Sequence, residues 1–257
     1  MKNTMQMTII KRFGAVGLAA LFCFGCSAID SARRSSSEAA RQDAPKTNTA
    51  ANVNAAEKVA AVSPCANRFY PVKSGLKRNY KNTVGGDTSQ TMEYTDGAAQ
   101  FTEVTTLKGV TVKHVWNCTD EGLVAANYGS GAEIGNMKLE PKHVSGVTLP
   151  KESDLQIGKT WQTIYTASGT SQMGAIETRV TINNKIVALD DTVKTPAGTF
   201  KAVKIEMDIE SDMKFGGKKM PVPVIKSAAW FAPEVGMVKG SGGIGAMSNT
   251  MEYTGSD

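Results

Sequence analysis

Between Val203 and Phe215 the chain alternates in a way that few folds accept. Val203, Ile205, Met207, Ile209, Met213 and Phe215 are apolar, and Lys204, Glu206, Asp208 and Glu210 stand between them. A period of two puts the apolar groups on one face of a strand and the charges on the other. Such a strand needs a partner layer, or a sheet that curls onto itself, to cover its apolar side. Gly216-Gly217 supplies a turn after it, and Pro221 and Pro223 confine the returning segment to a sheet edge or irregular extended chain. After residue 64 no segment holds a helical period for more than about ten residues. The turns are too short for helical crossovers. The expected fold class is therefore all-β and antiparallel, as two curved sheets packed together or an open barrel.

The first residues give an address. Residues 1–25 hold Lys2, Lys11 and Arg12, then an apolar run from Phe13 to Phe24, then Gly25 before Cys26. The run is too short to cross a hydrocarbon core of roughly 30 Å as a stable helix, so it reads as a cleaved export signal. The small residue before the cysteine makes it resemble a bacterial lipoprotein signal with Cys26 as the lipidated residue, although Cys23 stands where Leu is usual. Removing residues 1–25 takes away three basic residues and no acid. The formal charge then falls from +5 to +2, 26 basic against 24 acidic residues. No case for nucleic-acid binding survives that correction. Residues 26–64 are rich in Ala, Ser, Asn, Arg, Lys and Gln, with few large apolar groups, and are predicted to form a disordered tether. As a coil it spans roughly 35 Å.

The remaining domain, 65–257, is long enough for one well-filled core. With Cys23 removed and Cys26 lipidated, Cys65 and Cys118 remain, and an oxidising compartment predicts that they pair. The domain also shows internal similarity. Trp116 and Gly122, followed by Leu123-Val124, have the spacing of Trp230 and Gly236, followed by Met237-Val238. Thr91-Met92-Glu93-Tyr94 returns as Thr250-Met251-Glu252-Tyr253. A duplicated β unit, about 65–147 and 148–257, is one reading, and ordinary hairpin chemistry shared by two turns is the other.

Three stretches carry a family resemblance: Leu149 to Trp161, Thr195 to Glu206 and Trp230 to Lys239. They resemble an exported bacterial family of unestablished function described as DUF3108-like or TapB-like, over roughly Phe69 to Tyr253. The opening departs from the family pattern, with Leu76 and Tyr80 spaced differently from its Trp and Tyr. The resemblance implies an extended antiparallel β domain in the periplasm or at the cell surface. It carries no catalytic residue to this chain.

Chemistry searched for directly is sparse. His114 falls on the apolar face of a strand and reads as a hydrogen-bonded core histidine, while His143 lies in a Lys-rich connector. There is no G-x-S-x-G, no HExxH and no phosphate-cradling Gly loop. Glu206, Asp208 and Glu210 alternate on a solvent face rather than facing one another as glycosidase acids or calcium ligands. No enzyme, no metal and no cofactor is expected. The favoured function is a lipid-anchored binding or structural module of the cell envelope, at the outer membrane, with the membrane and either an apolar ligand or an envelope protein as partners. The alternative is a carrier of lipid or acyl chains, with the face from Val203 to Phe215 lining an apolar cavity. A hydrolase is a distant third.

Overall fold

The computed structural model describes residues 63–127, 138–171, 174–244 and 247–257. The signal, Cys26 and nearly all of the tether lie outside the described residues, as does the His143 side chain. The strands are β1 (Lys77–Asn82), β2 (Asp87–Tyr94), β3 (Gln100–Leu107), β4 (Val110–Thr119), β5 (Gly122–Ala125), β6 (Lys138–Ser145), β7 (Leu149–Pro150), β8 (Thr160–Ser171), β9 (Gly174–Thr195), β10 (Gly198–Phe215), β11 (Lys218–Met220), β12 (Ile225–Ala232), β13 (Gly236–Ile244) and β14 (Met247–Ser256). The one helical element described is a 3-10 turn, Glu152–Asp154.

All of these strands belong to one antiparallel sheet in the order β6-β8-β9-β10-β12-β13-β14-β1-β2-β3-β4-β5-β7, with β11 appended to β10. Neighbours in space are mostly neighbours in sequence, so the sheet is an up-and-down meander. Its chain ends meet where β14 pairs with β1. Of the two forms the sequence allowed, the open, curled single sheet is the one found. Met92 and Met251, from the two similar Met-Glu-Tyr segments, are both buried, and their strands flank β1 on either side.

The curl almost brings the two edges together. The link from β6 to β7 crosses the gap and is held from both sides. Thr148 donates its N–H to Leu123 on β5 at 2.8 Å. Trp161 Nε1 and Thr163 Oγ1 on β8 both donate to the Val147 carbonyl, at 3.1 and 2.5 Å. Gly146 makes the crossing feasible. Its φ is +75°, and a Cβ there would lie 2.1 Å from the Gln162 carbonyl oxygen. The boundary drawn at 147/148 falls inside this crossing, and β6 before it pairs with β8 after it.

Long β9 and β10 keep their alternation until a double register shift near Lys204, where β9 carries the extra residues. Bulges of this kind increase local twist. Below it Ile182, Ile186, Ile205 and Ile209 are buried, and above it Val193 and Ala202 join a second cluster with Tyr80, Met251 and Tyr253.

The upper lumen of the curl is filled by chain that is not strand. Residues 63–76 enter it, and Cys65, Phe69 and Tyr70 are buried there among Phe101, Trp116, Leu123, Ile186, Val203 and Ile205. Cys65 and Cys118 form the expected disulfide. The bridge closes a separation of 53 residues, worth about 4 kcal/mol in the loop-entropy model.

Two outcomes are expected. Cys65→Ser/Cys118→Ser should lower unfolding free energy by about 3–4 kcal/mol in denaturant titration of the oxidised protein and its variant. Gly146→Ala should cost at least about 2 kcal/mol, because it adds both a left-handed backbone penalty and a clash with a fixed carbonyl.

Candidate functional site

The candidate site is the centre of the lumen, where polar groups sit in an otherwise apolar shell. Glu103 belongs to the alternating run Phe101, Glu103, Thr105, Leu107, all facing inward, and is fully buried. Arg78 shares the inner face of β1 with Tyr80 and is also fully buried. Tyr70 of the entering segment lies between them. Its hydroxyl donates to Glu103 Oε2, and the Arg78 guanidinium stands 5.2 Å from its ring centroid. Thr105 Oγ1 donates to the other Glu103 oxygen at 3.3 Å.

The same ring ties opposite walls together. Its centroid is 5.2 Å from Trp116, 6.2 Å from Phe101 and 6.4 Å from Phe231 on β12, across the lumen. Phe101 and Trp116 stack nearly parallel, 5.7 Å apart. Arg78 donates Nε to the Val235 carbonyl at 2.8 Å and Nη2 to the Pro71 carbonyl at 2.6 Å. It thus joins β1, the entering segment and the β12–β13 turn. Burial and the Glu103 charge hold the Tyr70 phenol well above its ordinary range, against the opposing pull of Arg78. Tyr70 therefore remains a donor at every physiological pH. His114, the cross-strand partner of Glu103, is held below its ordinary value by burial, with Glu103 opposing. Among the described residues it has no hydrogen-bond partner, so it is not the hydrogen-bonded histidine expected from the sequence.

The glycines singled out in the sequence have distinct structural reasons. Gly236 has φ +98°, and a Cβ there would come within 3.1 Å of the Arg78 guanidinium, so it opens the space Arg78 fills. Gly122 has φ +139° and lets β7 approach, since a Cβ would lie 2.2 Å from the Leu149 carbonyl oxygen. The two tryptophans pair alike, each nine residues before its partner, Trp116 with Ala125 and Trp230 with Lys239. Their faces differ. Trp116 is buried in the lumen, whereas Trp230 lies on the face opposite Ala229 and Phe231. There Lys204 and Lys239 flank its ring at 5.4 and 5.9 Å, and its Nε1 donates to Asp191 at 2.7 Å.

The face from Val203 to Phe215 does point inward, but not onto one empty surface. Val203 and Ile205 pack in the filled upper lumen. Ile209 belongs to a lower cluster with Tyr165, Val180, Ile182 and Ile225, and Met207 touches all three clusters. Burial pushes the Tyr165 phenol up to about 12. Met213 is buried and Phe215 half-buried at the far end of β10. A groove of about 560 Å³ opens there beside Thr178 and Met213, rimmed by Arg179, Asp212 and Lys219. Among the described residues no three acidic, His or Cys side chains gather as metal ligands.

Sequence reasoning missed Tyr70, Arg78 and Glu103. One signal was present: an acid at an inward position of a strand that otherwise alternates cleanly, a place acids rarely occupy unless paired.

Comparison with known proteins fits this architecture. Residues 132–241 match the DUF3108-like family model, so the resemblance read from the sequence holds over that stretch, which runs from before β6 into β13. No curated protein matches the chain. A Bacteroides fragilis protein of YmcC-like fold, named as exported, superposes with a TM-score of 0.50 at 11% identity, covering 75% of this chain and all of its own. A Parabacteroides distasonis protein named as a lipoprotein does so with a TM-score of 0.50 at 13% identity, covering 74% of this chain and 99% of its own. At such identities the likeness is one of fold.

Tyr70→Phe removes the donor from a buried carboxylate and is expected to cost about 2 kcal/mol. In thermal unfolding that is a loss of about 4–8 °C for a domain of this size. His114 gives a pH dependence of known sign. Its folded-state value is depressed, so the unfolded chain takes up the proton first. Stability is complete above about pH 6.5 and declines as pH falls below it. His114→Gln should flatten that part of the profile in denaturant titrations across pH.

Proposed function

We propose that this protein is a lipid-anchored module of the cell envelope, held at the outer membrane by Cys26, that works through its folded surface without catalysis. The observation that carries this reading is the filled upper lumen. The space a substrate would use is taken by the chain's own Phe69 and Tyr70. The titratable groups at its centre are turned on one another, Tyr70 to Glu103 and Arg78 to two carbonyls. The exported and lipoprotein names of the two structural relatives support an envelope address. Ser27 after Cys26, in place of the Asp that retains such proteins at the inner membrane in enteric bacteria, favours the outer membrane.

A carrier of lipid or acyl chains is the second reading, favoured by the lower cluster around Ile182, Ile209 and Ile225 and by the groove beside Met213. Mass spectrometry of the full chain purified from a lipoprotein-processing host tests both. A mature N-terminus at Cys26 carrying acyl mass, lost in Cys26→Ser, is expected. A soluble, unmodified mature chain would contradict the anchored reading. Under native conditions no further mass is expected, and a co-purifying lipid that leaves on organic extraction would replace the module with the carrier.

A further inference from the structure

The meander gathers its hairpin turns at two ends, and the two ends differ in chemistry. At one end lie the β1–β2, β3–β4 and β10–β12 connections, residues 83–86, 108–109 and 216–224. Val84, Val110 and Val224, at or beside these connections, are 53%, 46% and 51% exposed, and Met220 is exposed with them. Of the large apolar side chains exposed among the described residues, only Ile157 lies elsewhere. A single exposed valine is unremarkable, whereas several on neighbouring tips of one rim call for a partner.

Charge sorts the same way. The three connections carry Lys108, Lys218 and Lys219 and no carboxylate. At the opposite end, connections 95–99, 120–121, 151–159 and 233–235 carry Asp96, Asp120, Glu121, Glu152, Asp154 and Glu234 against only Lys151 and Lys159. Among the described residues Lys108 and Lys218 make no ion pair, and Lys219 pairs with Asp212 in an exposed contact. The Val84 tip is held in place by its backbone. Thr83 donates its N–H to Thr250 and Val84 its N–H to Asn249 Oδ1, at 2.9 and 3.1 Å, while Gly85 and Gly86 turn the chain with positive φ.

We propose that this rim is a docking surface for an anionic phospholipid bilayer, with the apolar tips entering the headgroup region and the lysines meeting lipid phosphates. Separate protruding apolar points with basic groups between them suit a soft, anionic interface that closes around each tip. The contact is distinct from the Cys26 anchor, because the described chain begins at the acidic end, where Ser63 Oγ lies 2.6 Å from the Tyr94 hydroxyl.

Vesicle co-sedimentation of the mature chain carrying Cys26→Ser isolates this contact. Binding is expected to vesicles with about 30% phosphatidylglycerol, to weaken at high salt and to be far weaker on phosphatidylcholine alone. Val84→Asp/Val224→Asp should reduce partition roughly tenfold with an unchanged melting temperature, while Ile157→Asp at the other end leaves partition unaltered. Equal binding to neutral vesicles, or wild-type binding by the double variant, would overturn the proposal. So would absence of vesicle binding together with head-to-tail self-association in sedimentation velocity, which would assign the basic rim to the acidic end of a second copy.

Discussion

The structure depends on Tyr70 more than on any one strand. A sheet of this length has an apolar inner face wider than its own curl can close. The wall carrying Phe101 and Trp116 must therefore reach the wall carrying Val203 and Phe231 through something placed between them. Tyr70 is that piece: its ring meets both walls, and its hydroxyl meets the one buried acid of the upper lumen. A buried carboxylate and a buried guanidinium are costly to desolvate and weak as stabilisers in themselves. Their use here is positional. Only one placement of the entering segment gives Glu103 a donor and Arg78 the Pro71 carbonyl, so the polar groups select the register that the apolar contacts then stabilise.

Several constraints converge on that segment. The disulfide fixes Cys65 to β4, the Arg68–Glu152 ion pair of 2.6 Å and the Asn67 contact with Pro150 hold it to the β7 side, and Glu234 donates its N–H to the Arg68 carbonyl at 2.8 Å. These contacts come from parts of the chain far apart in sequence. Loss of the segment would therefore uncouple β4, β7 and the β12–β13 turn together. The ion pair is half exposed at both ends and contributes little alone.

Much of the fold was legible because its strands obey period two. The run from Val203 to Phe215 predicted one inward face, and the structure places those residues inward. The cysteine count and the export signal predicted the Cys65–Cys118 bridge, which forms. What stayed hidden has physical reasons. The segment Phe69-Tyr70-Pro71 has no period, since it is neither strand nor helix, and its burial depends on distant walls. The pairing of β14 with β1 joins the two ends of the domain, and no local pattern reports that. Trp116 and Trp230 share a spacing yet face opposite ways, because the register shift between Trp230 and Phe231 turns Phe231 inward where β4 keeps its tryptophan inward. Spacing records the hairpin and is blind to the bulge. In the candidate site, Gly122 and Gly236 were legible as turn glycines. The close approaches of Leu149 and Arg78 that require them were not.

The claim that residues 65–76 are core rather than loop is tested most directly by native-state amide hydrogen exchange, read on the peptides covering that segment. Phe69 and Tyr70 have their backbone N–H groups bonded within the buried segment, and burial of their side chains couples the segment to the sheet. The amides of residues 69 and 70 should then open only with the global unfolding of β3 and β4, at the same free energy. Exchange of those amides well below the global value, with β3 and β4 still protected, would mean that the lumen opens while the sheet stays folded, and would contradict the account.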